Sequence, residues 1–374
     1  MATRMIRPVH DDYFAELPPA LVTTPPTPWP ALLVPRAAIE AEIARLCDLP
    51  GQPGDLRAAD IIHPSSRDTV PGVSPALAVT IIALLPGETI EIRRDNASRV
   101  EFCIRGSGEA AIADRTLPLE RFSTWNVPSM TRRRYRNTGT EPLVFLSYSN
   151  APLLQRLNIL YSDDIHAAPK SRDAQRSATE EKYVRETAPD LPVLSDGARL
   201  RGYEFLTDIE VIENRALVWP WDQVRPHLTE EEGDGKRIIY LLYNPATDRR
   251  NGTTHSFFAT ITSFPRGAGR AVPERGHRHS SYACNYHFIG SGESVVDGQY
   301  FRWEAGDFML SAPSWSEHAH GSSPEGATVL TIQDHPFQIG VESLIWQEKA
   351  DGPILTLGSE PGQSGYVGPR VAGD

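Results

Sequence analysis

The chain has 374 residues, 40% of them hydrophobic and 23% charged, with a formal net charge of -11. It is too long for one ordinary core and suits two domains, and its acidity argues against nucleic acid or an anionic membrane as the main partner. Cys47, Cys103 and Cys284 are too scattered for a disulfide framework or a zinc ribbon. With no apolar h-region at the N-terminus and no apolar run long enough to span a bilayer, the expected compartment is the cytoplasm.

In chain order, residues 1–75 read as an N-terminal arm. Its proline-rich stretch 18–35 is expected to be extended, and a short helix is expected over 36–46, where Ile39, Ile43 and Leu46 fall at helical spacing. Residues 76–150 switch to strand patterns. LAVTIIALL is a β-rich run, VEFCIRGSGEAAIAD reads as a hairpin through Gly106-Ser107-Gly108, and STWNVPS and LVFLSYS are further strands. Residues 151–236 form a connector. Its charged stretch 172–186 is expected to be an exposed helix or loop, Glu230 to Glu232 a solvated loop, and Trp219-Pro220-Trp221 a packed turn. Strand patterns return over 237–345 in HSFFATITSF, YACNYHFIGSGESVVDG, GDFMLSAPSW and ATVLTIQD, and 346–374 is a Gly/Pro/Ser-rich tail. With 32 prolines and 28 glycines punctuating short segments, the fold class is all-β with minor helices.

The two strand-rich regions repeat each other. Arg105-Gly106-Ser107-Gly108-Glu109 matches Ile289-Gly290-Ser291-Gly292-Glu293, and Val127-Pro128-Ser129 matches Ala312-Pro313-Ser314, at offsets of 184 and 185 residues. A repeat that long implies duplication of a whole domain.

Six of the eleven histidines lie between positions 255 and 320. Alternate residues of a strand share a face, so His277 and His279 can both point into a barrel, with Ala283, Asn285 and His287 on that face if the strand continues. His318 and His320 share a face on a later strand. Three imidazoles, from His277, His279 and His318, can occupy one side of a divalent ion and leave the other open for substrate. A single His-x-His pair is more often a surface or hydrogen-bonded pair; two such pairs at this spacing point to a metal. His255, His287 and His335 also have an ordinary structural reading, and His320 reads as a substrate or outer contact.

These residues resemble the cupin superfamily: HRHSSYACNYHFIGSG is similar to its first motif and GDFMLSAPSWSEH to its second. More narrowly, the C-terminal half resembles the bicupin ring-cleaving dioxygenases of gentisate, salicylate and 1-hydroxy-2-naphthoate. The resemblance is carried by Trp219-Pro220-Trp221, Val224-Arg225-Pro226, Tyr243-Asn244-Pro245-Ala246-Thr247, His277-Arg278-His279, Pro313-Ser314-Trp315 and His318-Ala319-His320. It implies two jelly-roll β-barrels in tandem and Fe(II) held by His277, His279 and His318. It also implies an ortho-hydroxylated aromatic acid and dioxygen as substrates, and a homo-oligomer, dimer or tetramer, paired through the N-terminal arm. His320 would act as acid or base, while Asn285, His287 and Trp315 would contact substrate.

The chain differs from the general cupin pattern in one place and from the narrower family's pattern in two. Ala283 stands where many cupins carry a glutamate ligand, a loss typical of the gentisate-like group. Arg93 and Asp95 replace the His-x-His pair of the first barrel, and arginines 132–134 replace its later histidine, so that barrel reads as degenerate and metal-free. The cluster at 132–136 is read as a solvated strand edge or interface, or else as a residual anion site. Asn285 stands where the family commonly places a carboxylate-binding arginine. A non-redox metal cupin (lyase, isomerase or hydrolase) and a non-catalytic binding protein are the competing readings.

Overall fold

The computed structural model describes residues 28–50, 55–66, 70–163, 215–228, 237–267 and 269–357, with short stretches at 8–10, 14–15 and within 190–201. The expected segments at 172–186 and 230–232 and the tail beyond 357 lie outside the described residues.

Two strand-rich barrels follow each other, tied together by the arm. Strand β1 (Leu32–Val34) runs into helix α1 (Arg36–Asp48), which buries Ile39, Ile43 and Leu46, the stripe seen in the sequence. No side chain of its own caps this helix. The Asp307 carboxylate of the second barrel accepts the Arg36 backbone N–H at 2.6 Å, supplying from a distance the anion that a helix N-terminus favours.

The first barrel is built from β2 (Arg57–Ile61), β3 (Ala78–Leu84), β4 (Thr89–Ile92), β5 (Arg99–Arg105), β6 (Gly108–Ile112), β7 (Arg115–Leu119), β8 (Thr124–Val127), β9 (Arg133–Asn137) and β10 (Leu143–Ser149), and the connector adds β11 (Val218–Trp219). One sheet has the order β11-β8-β5-β10-β3-β2, the other β4-β9-β6-β7. The hairpin expected at Gly106-Ser107-Gly108 does not form. β5 pairs β8 and β10, whereas β6 pairs β9 and β7. Gly106, at φ +77°, turns the corner between sheets instead of folding one strand back on its neighbour. Nor is β9 an edge. It lies between β4 and β6, alternating buried Arg133, Tyr135 and Asn137 with exposed Arg134 and Arg136. After β11 a helical turn at Trp221–Val224 packs the connector, as the tryptophans suggested.

The second barrel comprises β12 (Ile238–Leu241), β13 (Phe258–Phe264), β14 (Arg278–His279), β15 (Ala283–Val296), β16 (Gln299–Glu304), β17 (Phe308–Ala312), β18 (His318–Gln333), β19 (Ile345–Gln347) and β20 (Leu355–Thr356). Its large sheet has the order β12-β13-β18-β15-β17-β1, with β16 on β15, and the small sheet is β14-β19-β20. Here the Gly-Ser-Gly segment lies inside the single long strand β15, bent at Gly290, where a Cβ would sit 1.9 Å from the Gly326 carbonyl.

The barrels share a core. Phe102 and Phe122 of the first lie 5.2 and 4.7 Å from Phe288 of the second, ring centre to ring centre, and Ile39, Ile43 and Leu46 of α1 join the same cluster. The arm serves both barrels within one chain, with β1 pairing β17 and β2 pairing β3.

Candidate metal centre

His277 and His318 face each other across an antiparallel bridge, exchanging backbone hydrogen bonds at 3.1 and 3.0 Å. His279 follows on β14, opposite Trp346 of β19. The spacing expectation is corrected in one respect: the strand does not continue from His279 to Ala283. β14 ends after two residues, and β15 begins afresh in the other sheet.

The ligand atoms of His277, His279 and His318 all lie within 4.8 Å of one another, the one such grouping among the described residues. His279 and His318 are buried and His277 partly so. The His318 Nδ1–H donates to the Ser316 carbonyl at 3.0 Å, and the His279 Nδ1–H to the Ser281 carbonyl at 2.9 Å. Both rings therefore keep their protons on Nδ1 and turn Nε2 lone pairs inward, and His279 Nε2 is buried with no protein partner. Burial, reinforced by neighbouring cations and imidazoles, pushes His277 down to about 4 and His318 to about 3, and lowers His279 well below the usual range. Three neutral, convergent imidazoles with an orphaned inward nitrogen fit a first-row divalent cation.

A cavity of about 210 Å³ opens beside the triad, walled by residues of β12, β13, β15, β17 and β18. Asn285, His287 and His320 line it, as expected. Ala283, at the place of the family's glutamate, also lines it and is buried. Trp315 is not among the lining residues; the tryptophans there are Trp303 and Trp346. Trp346 stacks on His277 at 5.3 Å and 16° and lies 5.3 Å from His279. His335, one of the histidines with an ordinary structural reading, packs 5.1 Å from His279, and Ser281 Oγ lies 2.9 Å from His279 Nδ1 and 2.6 Å from His335 Nδ1. Arg237 lines the cavity, and its charge bears on both His277 and His320. Trp346, His335 and Arg237 come from segments with no motif of their own, so spacing could not have found them.

At the corresponding place in the first barrel, Asp95 accepts a bidentate pair from Arg99 at 2.6 and 2.8 Å and a third bond from Arg133 at 3.3 Å, while Arg93 is exposed. Burial pushes Asp95 up, but the two guanidiniums outweigh it and hold its carboxyl below the usual range. The arginines here lock an ion pair with Asp95.

No protein-family model matches the chain. Over 289 residues it is 25% identical to the 1-hydroxy-2-naphthoate 1,2-dioxygenase of Nocardioides sp. (strain KP7), covering 75% of this chain and 68% of the relative. It is 22% identical over 307 residues to the 5-aminosalicylate 1,2-dioxygenase of Comamonas sp., covering 75% of each. Among solved structures, the salicylate 1,2-dioxygenase from Pseudaminobacter salicylatoxidans superposes with a TM-score of 0.65 at 16% identity, over 87% of this chain and 90% of that one. A variant of that enzyme in complex with gentisate gives 0.66 at 15% identity, over 88% and 89%. The chain thus has the fold of the ring-cleaving bicupin dioxygenases, and its curated relatives carry their names.

Proposed function

We propose that this bicupin is a non-haem Fe(II) dioxygenase that cleaves the ring of an aromatic carboxylic acid bearing an ortho hydroxyl group, with its working site in the C-terminal barrel. The observation that carries this reading is the triad of His277, His279 and His318 beside a cavity of about 210 Å³, room for a small ring. The names of the relatives support the substrate class and the oxygen chemistry.

The three histidines would hold the iron, and three neutral ligands leave it net positive charge, which suits an anionic, bidentate carboxylate and phenolate. When bound, the iron supplies the electron path between an electron-rich ring and dioxygen. The chain's own residues do the rest. Trp346, stacked on His277 and close against His279, holds these rings in place. Arg237 offers the cation that Asn285 cannot, drawing the carboxylate into the cavity. His320 is oriented by Ser294, whose hydroxyl accepts from Trp303 Nε1 at 2.9 Å and lies 2.8 Å from His320 Nδ1. With the Ser294 proton turned to Nδ1, His320 would carry its own on Nε2, placed to donate to a substrate oxygen and to pass a proton during ring opening. Phe258, Phe264 and Val329 of the wall keep water away.

We place the enzyme in the cytoplasm as a homo-oligomer. The three cysteines are free, no helix among the described residues is long and apolar enough to cross a membrane, and Leu157, Ile159, Leu160 and Tyr161 form an exposed apolar run suited to contact between copies.

The test is oxygen uptake by protein loaded anaerobically with ferrous iron, across hydroxy-, amino-, nitro- and halo-substituted benzoates. Uptake matched to ring loss with at least one ortho-hydroxy acid is expected. Silence across the panel, or equal turnover with zinc in place of iron, would defeat the proposal.

A further inference from the structure

Besides His279 Nε2, two side-chain polar atoms of cavity-lining residues are buried with no protein partner: Asn285 Oδ1 and His287 Nε2. They sit two residues apart on β15 and so share a face, opposite Thr331 and Val329 of β18. Unpaired buried polar atoms are rare, and in a cavity wall they mark where a ligand or a water supplies the partner.

The His287 ring is held on every side. It is fully buried and stacks on the Trp303 indole at 4.0 Å and 17°. Its Nδ1 lies 3.3 Å from the Asp307 carbonyl, which also accepts the His287 backbone N–H at 3.0 Å. A carbonyl can only accept, so the proton is on Nδ1 and Nε2 carries a lone pair. Burial pushes this imidazole down to about 3, so it stays neutral wherever the protein is folded and working. Trp303 contacts both cavity imidazoles, stacking on His287 and reaching His320 through Ser294.

We propose that His287 is a specificity-determining residue: its Nε2 accepts a hydrogen bond from a second donor on the substrate ring, a phenolic hydroxyl or an aromatic amine away from the metal-chelating pair. This rests on the function proposed above and narrows its substrate class. Acids whose extra substituent is a nitro group, a halogen or a methoxy group bring only lone pairs to this lone pair and are disfavoured.

The measurement is calorimetric binding to the iron-loaded protein under anaerobic conditions. The ligands are salicylate, the ring isomers of its hydroxy and amino derivatives, and their methoxy and nitro counterparts. One hydroxy or amino isomer is expected to bind about ten-fold tighter than its methoxy counterpart. His287→Phe keeps the stacking on Trp303 and should collapse that ratio to near one, whereas His287→Gln, whose amide oxygen reaches as far as Nε2, should restore most of it. Metal content and thermal midpoint establish that each variant is folded. Equal binding of donor and methoxy isomers by the wild-type protein, or a preference that survives His287→Phe, overturns the proposal while leaving the function standing. Failure of every acid to bind removes the function, and this assignment with it.

Discussion

The two barrels pair β5 with β10 and β15 with β18 in the same register and have opposite interiors. At the 184-residue offset, Glu101 corresponds to Asn285, Phe145 to Val329 and Ser147 to Thr331; at 185, Tyr135 corresponds to His320 and Arg133 to His318. The pairing agrees: Ser147 lies opposite Glu101 and Cys103 opposite Phe145, as Thr331 lies opposite Asn285 and Val329 opposite His287. In the first barrel these positions are filled. Glu101, fully buried, accepts from Trp125 Nε1 at 2.6 Å, Tyr135 Oη at 2.7 Å and Ser147 Oγ at 2.8 Å, and Phe145 packs between the two aromatic rings. In the second barrel Asn285, Val329 and His320, smaller than Glu101, Phe145 and Tyr135, leave a cavity, and Asn285 Oδ1 meets no protein partner. One scaffold has spent its interior on satisfied hydrogen bonds and ring packing, the other on a pocket whose polar atoms await a ligand. The comparison teaches that the barrel shell tolerates either interior, because the shared core lies outside both, between the large sheets.

The sharpest way to break this contrast is His318→Ala. It should abolish metal retention and oxygen uptake with the fold kept, since the shell does not depend on the triad; a variant with full metal content by elemental analysis would show that the ligands are misassigned. Next in size is Glu101→Ala, which leaves three buried donors facing a void. A loss of roughly 3 kcal/mol in denaturant unfolding is expected, with metal content of the folded protein unchanged. A cost below about 1 kcal/mol would mean that the glutamate is not what holds the first barrel's interior.

Acid should separate the barrels. His287 and His335 are pushed down to about 3, chiefly by burial, so the unfolded chain takes up protons first as the pH falls below about 6.5. Their contribution is fully present above that pH. It is lost at about 1.4 kcal/mol per pH unit per histidine on the way down. Asp95 of the first barrel is held below the ordinary carboxylate range, so its contribution persists until the pH drops under about 4. Amide hydrogen exchange across pH 7 to 5 should therefore show β15 and β18 losing protection before β5 and β10; simultaneous loss would contradict the assignment. The smallest effect is expected from Ser281→Ala. It removes the hydroxyl between His279 and His335 but not the carbonyl that fixes the His279 tautomer, so metal affinity should fall about ten-fold. An unchanged dissociation constant in a chelator competition would reduce Ser281 to packing.

The parts legible in the sequence were those with a local period or a repeat. The convergence of the triad showed because histidines two apart on a strand face one way, and the first barrel's different interior showed because Arg93, Asp95 and Arg133 stand in the places of the imidazoles. The α1 stripe read correctly for the same reason. Pairing was not legible. A Gly-Ser-Gly segment announces a change of direction, and the same three residues make a sheet-to-sheet corner at Gly106 and a bend within one strand at Gly290. Glu101 sits in VEFCIR like any outward charge on an alternating strand, and only Trp125, Tyr135 and Ser147, brought in from other strands, reveal that it points inward. Trp346, His335 and Arg237 reach the site from three separate segments, and Trp315, nearer to the motif than any of them, does not line the cavity.

The clasp between Arg36 and Asp307 joins positions 271 residues apart, and β1 completes its pairing only against Phe308, Met309 and Leu310. During synthesis the arm's strand leaves the ribosome about 271 residues before the groove on which it docks. The first barrel can collapse on its own schedule, while the helix that roofs both barrels stays uncapped until the second has closed. Closure of the second barrel is thereby coupled to docking of the arm, and a chain cut short before Asp307 would leave α1 without its cap and β1 without its partner.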